Sequence, residues 1–200
     1  MNELLLSEIK SDKKSLLQSM ILVENFIFSS LLERDEKIDD VLLQCQNSIA
    51  DIEDELERAE QLINDLFIDH ALLDEPRSFW PSNAYQLNNS FAYRTIAPTL
   101  KAVILHHIIQ SCGFDVDIIS VDQKVMLKIV CDETYAIIFD SVTGECLDWQ
   151  SFDNHLDDVD GDPSQTELPS ISHQQIIIDH LSCLKNTLIK EQNFDQALKC

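Results

Sequence analysis

Residues 97–140 read APTLKAVILHHIIQSCGFDVDIISVDQKVMLKIVCDETYAIIFD, and the hydrophobic period changes once along this stretch. Residues 97–112 read as a buried helix, with Pro98 suited to its first turn and Gly113 to its C-terminal stop. After Gly113 the period becomes two. Residues 114–121, 124–131 and 134–140 are β-rich runs, with Asp122-Gln123 and Asp132-Glu133 as hairpin tips. Residues 144–149 add a further short strand. A helix followed by an antiparallel meander predicts an α+β fold.

Working outward, residues 13–32 read as a helix whose apolar face carries Leu16, Leu17, Met20, Val23, Ile27, Phe28 and Leu31. A polar break follows at residues 33–36. Ile38, Leu42, Cys45, Ile49, Ile52, Leu56, Ala59, Ile63 and Leu66 then alternate in steps of four and three, a heptad seam over residues 38–66. The seam predicts an αα-hairpin packed on the preceding helix and against the domain, with an intermolecular coiled coil as the rival. Residues 74–89 are turn-rich and aromatic. Residues 151–169 form an acidic linker, residues 170–189 a second helix, and residues 193–200 start another. The predicted division is an N-terminal helical region over 1–73, an α+β core over 74–150, the linker, and a helical unit over 170–200.

Composition excludes several chemistries. The 200 residues hold 14 Lys and Arg against 36 Asp and Glu, a net charge of −22. That argues against direct binding of nucleic-acid phosphates and against docking on anionic lipid. The three glycines are not clustered, so phosphate-cradling loops are not expected. None of the six cysteines forms a CxxC pair, which removes the usual zinc spacing. His106 and His107 are adjacent and point about 100° apart on a helix, a poor pair for one metal. An EF-hand centred on Gly161 would need an oxygen ligand at Leu156. No metal and no cofactor are expected. The start of the chain lacks the pattern of a secretory signal, and no run of about 18 apolar residues occurs. The expected location is cytoplasmic, with reduced, buried thiols.

A buried helix with a thiol at its N-terminus, followed by a sheet supplying His and Asp, is a thiol-enzyme layout. The scaffold order is here, but the helix starts without Cys and the second strand without His. Pro81-Ser82-Asn83-Ala84, the segment from Arg94 to Leu100, Lys124-Val125-Met126-Leu127-Lys128 and the turn from Phe139 to Gly144 occur in an order and spacing that resemble the bacterial SirB-type family. That family has an N-terminal helical part, a degenerate transglutaminase-like core and tetratricopeptide repeats at its end. The resemblance places the superfamily's Cys at Ala97 or Pro98, its His at Lys124 and its Asp at Asp140. One of three functional groups is retained. Lysine does not readily replace histidine as a base near neutral pH unless burial depresses it. The tail, with Leu181, Leu184, Leu188, Phe194, Ala197 and Leu198, resembles part of one tetratricopeptide unit.

The sequence thus points to a non-catalytic α+β protein with a regulatory or scaffolding role exercised through protein contacts. The family name implies a link to regulation of gene expression. Candidate contact residues are Phe79, Trp80, Tyr85, Leu181, Leu184, Leu188 and Phe194, with core capping as the other reading of the aromatics. The rivals are an acyl-transfer enzyme with a displaced Cys and a retained Asp140, and an acidic mimic of nucleic acid that occupies a basic protein.

Overall fold

The computed structural model describes residues 14–31, 36–70, 72–87, 95–121, 123–131, 135–147 and 170–200. The sequence-based readings on Arg94, Asp122, the Asp132-Glu133 tip, the end of the 144–149 strand, the 151–169 linker and the Gly161 calcium loop lie outside these residues.

At the centre is α4, Pro98–Ser111. In the order of the chain before it come α1 (Leu16–Phe28), α2 (Glu36–Ser48) and α3 (Glu55–Asn64). The sheet β1 (Asp115–Val121), β2 (Lys124–Val130) and β3 (Ala136–Asp140) follows α4, in the order β1-β2-β3. Both pairings are antiparallel, with Ile118 opposite Leu127 and Leu127 opposite Phe139. The chain ends in α5 (His173–Lys190) and the short α6 (Phe194–Ala197). The expected α+β class is the observed one.

The central helix follows from its sequence. Pro98 occupies the first turn, where its missing N–H costs nothing. Gly113 takes φ +94°, the left-handed conformation that ends the helix. Ile104, Leu105, Ile108 and Ile109 are fully buried. Each contributes roughly 1.5–3 kcal/mol by leaving water. α1, α2, α5 and the sheet all pack on α4. One apolar core thereby joins side chains of α1 to α5 and the inner face of the sheet, and Ile119, Met126 and Ile138 form a second, small cluster.

The heptad seam is corrected by the structure. Residues 38–66 are not one helix: α2 stops at Ser48, and α3 restarts at Glu55 behind Asp54, whose carboxylate accepts the Glu57 N–H at 2.9 Å. A π-helical turn, Asp65–Asp69, then ends the segment. Of the side chains that made the seam, Ile38, Cys45, Ile49, Ala59, Ile63 and Leu66 are buried in the chain's own core, while Leu42, Ile52 and Leu56 are half-buried. α2 packs on α4 and on α3, so its main partner is the central helix. The first helix is also shorter than expected. Ser15 and Gln18 form a reciprocal capping box at its start, and Ser29 at φ 54° ends it.

All six cysteines are free thiols, but only Cys45 and Cys112 are buried, and Cys146 and Cys183 are exposed. No described helix is long and apolar enough to cross a membrane.

Candidate functional site

The site is built around the N-terminus of α4 and the turn that follows β3. Ala97 caps α4 with no side-chain hydrogen bond. Its N–H donates to the carbonyl of Ala84 at 2.9 Å, which ties the helix start to the 3₁₀ turn Ser82–Tyr85. The side chain there is a methyl group that is fully buried. Pro98 follows as the first helical residue. The two positions that the resemblance assigns to the thiol carry no nucleophile.

Asp140 ends β3 and is buried. Its Oδ1 accepts the N–H of Val142 at 2.7 Å and of Thr143 at 3.1 Å, so this carboxylate closes the turn. Its Oδ2 lies 3.8 Å from the Lys124 ammonium, which opens β2. The structure therefore brings together Lys124 and Asp140, the positions to which the resemblance assigns a His and an Asp. The Lys124 side chain is 63% exposed and lacks burial in the core.

That burial falls on a lysine the sequence reading missed. Lys101, one turn into α4, is only 1% exposed. Its Nζ donates to the Val142 carbonyl at 3.2 Å and lies 5.9 Å from the Phe67 ring centre. Burial pulls its pKa down to about 8, against the pull of Asp74 and Asp140 in the other direction. The ammonium stitches the helix to the Asp140 turn, and the Asp74 N–H meets the same Val142 carbonyl at 3.1 Å. Its place inside an apolar run of α4 was the only signal for it.

Beside Ala97 lies a buried polar cluster. Thr99 Oγ1 and His180 Nδ1 are 3.1 Å apart across 81 residues of chain. The Tyr85 ring meets the His180 ring edge-on, with centres 5.5 Å apart. Burial lowers the His180 pKa to about 4 and pushes the Tyr85 phenol up to about 12. His180 is thus a neutral core histidine. Thr187 donates to the Trp80 carbonyl at 3.1 Å.

The candidate contact residues divide. Trp80, Tyr85, Leu181, Leu184 and Leu188 are buried in the chain's own core. Phe79 and Phe194 face outward at 41% and 58% exposure, and the Lys190 ammonium sits 5.4 Å from the Phe79 ring centre.

Burial raises the pKa of Cys45 to about 12 and of Cys112 to about 11, and shifts Cys146, Cys183 and Cys200 in the same direction. These five thiols are protonated and unactivated at neutral pH. Among the described residues, no group of three or more His, Cys, Asp or Glu side chains is placed to hold a metal ion.

Next to the Asp140 turn a groove of about 400 Å³ opens between β3 and the π-helical turn, lined by Ile63, Phe67, Ile68, Leu73, Tyr135 and Leu147 among others. Sequence reading did not find it, because its wall comes from separate segments. Phe67 is a shared wall: its ring meets Phe139 edge-on, with centres 5.8 Å apart, and covers Gly144.

A sequence model described as the Transglutaminase-like superfamily matches residues 33–182, which take in Ala97, Lys124 and Asp140. No curated protein and no solved structure matches the chain. The matched region covers most of the chain and carries the helix-then-sheet scaffold, so this protein belongs to the transglutaminase-like superfamily.

Proposed function

We propose that this chain is a non-catalytic regulatory or scaffolding protein, working through protein contacts on a degenerate transglutaminase-like core. The observation that carries the reading is the start of α4. A buried alanine and a proline stand where a thiol would have the helix N-terminus to lower its pKa. Lys124 stands beside Asp140, where the resemblance assigns the histidine base of a thiol mechanism. The upward shift of five thiols counts against an enzyme with a displaced Cys.

A SirB-type assignment with a tetratricopeptide-like end belongs to the same reading. It is supported by the order of the four resembling stretches and by the packing of α5 on α6. The outward Phe79 and Phe194 are the contact residues that remain accessible.

The test is capture from native cytoplasm with the whole chain and with the surface variants Phe79→Asp and Phe194→Asp. Removing α5 would not serve, because Ile176, Leu184 and Leu188 belong to the core. The reading expects a partner that is retained by the native chain and lost from at least one folded variant. Acyl transfer by the purified chain would overturn it.

A further inference from the structure

We propose that the Ala136 end of the outer edge of β3, with the groove beside it, binds an extended peptide segment of a partner protein, apolar on one face and rich in lysine or arginine. This rests on the protein-contact reading above and names the surface and the chemistry of the partner.

The edge comes first. Cys131 N–H donates to the Tyr135 carbonyl and Ser141 N–H to the Val125 carbonyl, so odd-numbered residues of this stretch turn their backbone groups toward β2. Even-numbered residues turn theirs outward. The Leu147 N–H meets the Ile138 carbonyl at 2.8 Å, and the Asp140 N–H meets the Glu145 carbonyl at 3.0 Å. Residues 145–147 therefore cover the Asp140 end of the edge. By the same alternation Ala136 directs its N–H and C=O outward, and among the described residues nothing pairs with them. An unpaired edge is a template for one more strand.

Apolar surface lies where the side chains of that added strand would fall. Ile68, Leu73 and Tyr135 are exposed at 61%, 55% and 44%, and all three line this one groove. Alternate side chains of a bound strand would insert there.

Charge sets the other face of the partner. Glu60 lines the groove, and among the described residues no Lys, Arg or His does. The chain carries −22 overall. A basic strand is attracted by that field, and an acidic one is repelled.

The probe is a fluorescein-labelled nonapeptide of alternating lysine and valine, followed by fluorescence anisotropy against the whole chain at physiological salt. The control is the same peptide N-methylated at alternate residues, which keeps the charge and removes the outward donors. The proposal expects saturable one-to-one binding of the first peptide and a loss of about tenfold in affinity for the second, the scale set by losing backbone hydrogen bonds. Ala136→Pro deletes one outward N–H without removing a ladder bond, and should weaken binding similarly. Ile68→Asn, at an exposed position, tests the groove while leaving the core intact.

Equal affinity for both peptides would overturn the proposal, since charge alone would then explain binding. So would peptide binding seen only after residues 148–150 are replaced by glycine, which would make the chain itself the occupant. A dimer that Ile68→Asn converts to a monomer would overturn it in favour of a second copy. Failure of the native peptide to bind, while Phe79→Asp or Phe194→Asp still loses a captured partner, would overturn the edge and leave the contact reading standing.

Discussion

The start of α4 and the outer edge of β3 border the same Asp140 turn, yet one is sealed and the other is open. At the first, Ala97 and Lys101 are at most 1% exposed, and Thr99 and His180 are buried against each other. At the second, Ile68, Leu73 and Tyr135 stand in solvent around a groove. Where the superfamily's thiol would act, this chain has packed core. Exposed apolar side chains lie instead beside the sheet edge. Phe67 joins the two regions: it lines the groove and lies against Gly144, Phe139 and Lys101.

Breaking that shared wall should have the largest effect. Phe67→Ala is expected to lower unfolding free energy by about 4 kcal/mol, from lost burial and the cavity left behind. Chemical denaturation checks it. A loss below about 1 kcal/mol would mean that the two regions do not share a wall.

Two pH windows probe the sealed region. His180 has a folded pKa near 4 against an ordinary value of 6.5. Between those values the unfolded chain holds a proton that the folded chain refuses, so stability falls as pH drops through the window. The contribution is about 3 kcal/mol, and His180→Gln should remove that part of the slope and leave what His106 and His107, also lowered by burial, contribute. Lys101 titrates near 8 in the folded chain against 10.5 ordinarily, so its contribution makes stability rise from pH 8 to 10.5. The buried thiols act in the opposite sense at high pH, because their folded pKa values are raised. The measurement is therefore the difference between the native chain and Lys101→Met, in which the thiols cancel. No difference in slope would contradict a buried, depressed Lys101.

Gly144→Ala sharpens the link between the regions. An added Cβ would meet the Phe67 ring at 2.7 Å, at a residue with φ +71°. The expected loss is about 2 kcal/mol, read by thermal melting. The smallest effect belongs to Lys124→Ala, which breaks an exposed ion pair and should cost less than about 1 kcal/mol. A larger cost would show that Lys124 anchors the Asp140 turn.

The parts of this fold that were legible in the sequence are those fixed by local chemistry. Pro98 and Gly113 bracket α4, and the change to alternating apolar residues marks β1, β2 and β3 within a residue or two at the boundaries. The break of the 38–66 seam was also written locally, as Asp54 with Glu57 three residues on, but the regular apolar spacing across it hid the cap. The pairing of Lys124 with Asp140 was reachable through the resemblance, since both were assigned to one site. Thr99 with His180, and Lys101 with the Val142 carbonyl, join residues 81 and 41 apart. No local pattern encodes such contacts. Hydropathy also places a lysine at the surface, whereas Lys101 is held inside by a carbonyl and nearby carboxylates. Trp80 and Tyr85 follow the core-capping reading of the aromatic segment, and Phe79 does not.

The most direct test of the central claim is alkylation of the whole folded chain by iodoacetamide near pH 6, with each cysteine followed by mass spectrometry. The account predicts slow labelling with no cysteine standing apart, exposed Cys146 and Cys183 reacting ahead of buried Cys45 and Cys112. One cysteine labelled orders of magnitude faster than the rest would be an activated thiolate, and would contradict the reading of this superfamily member as non-catalytic.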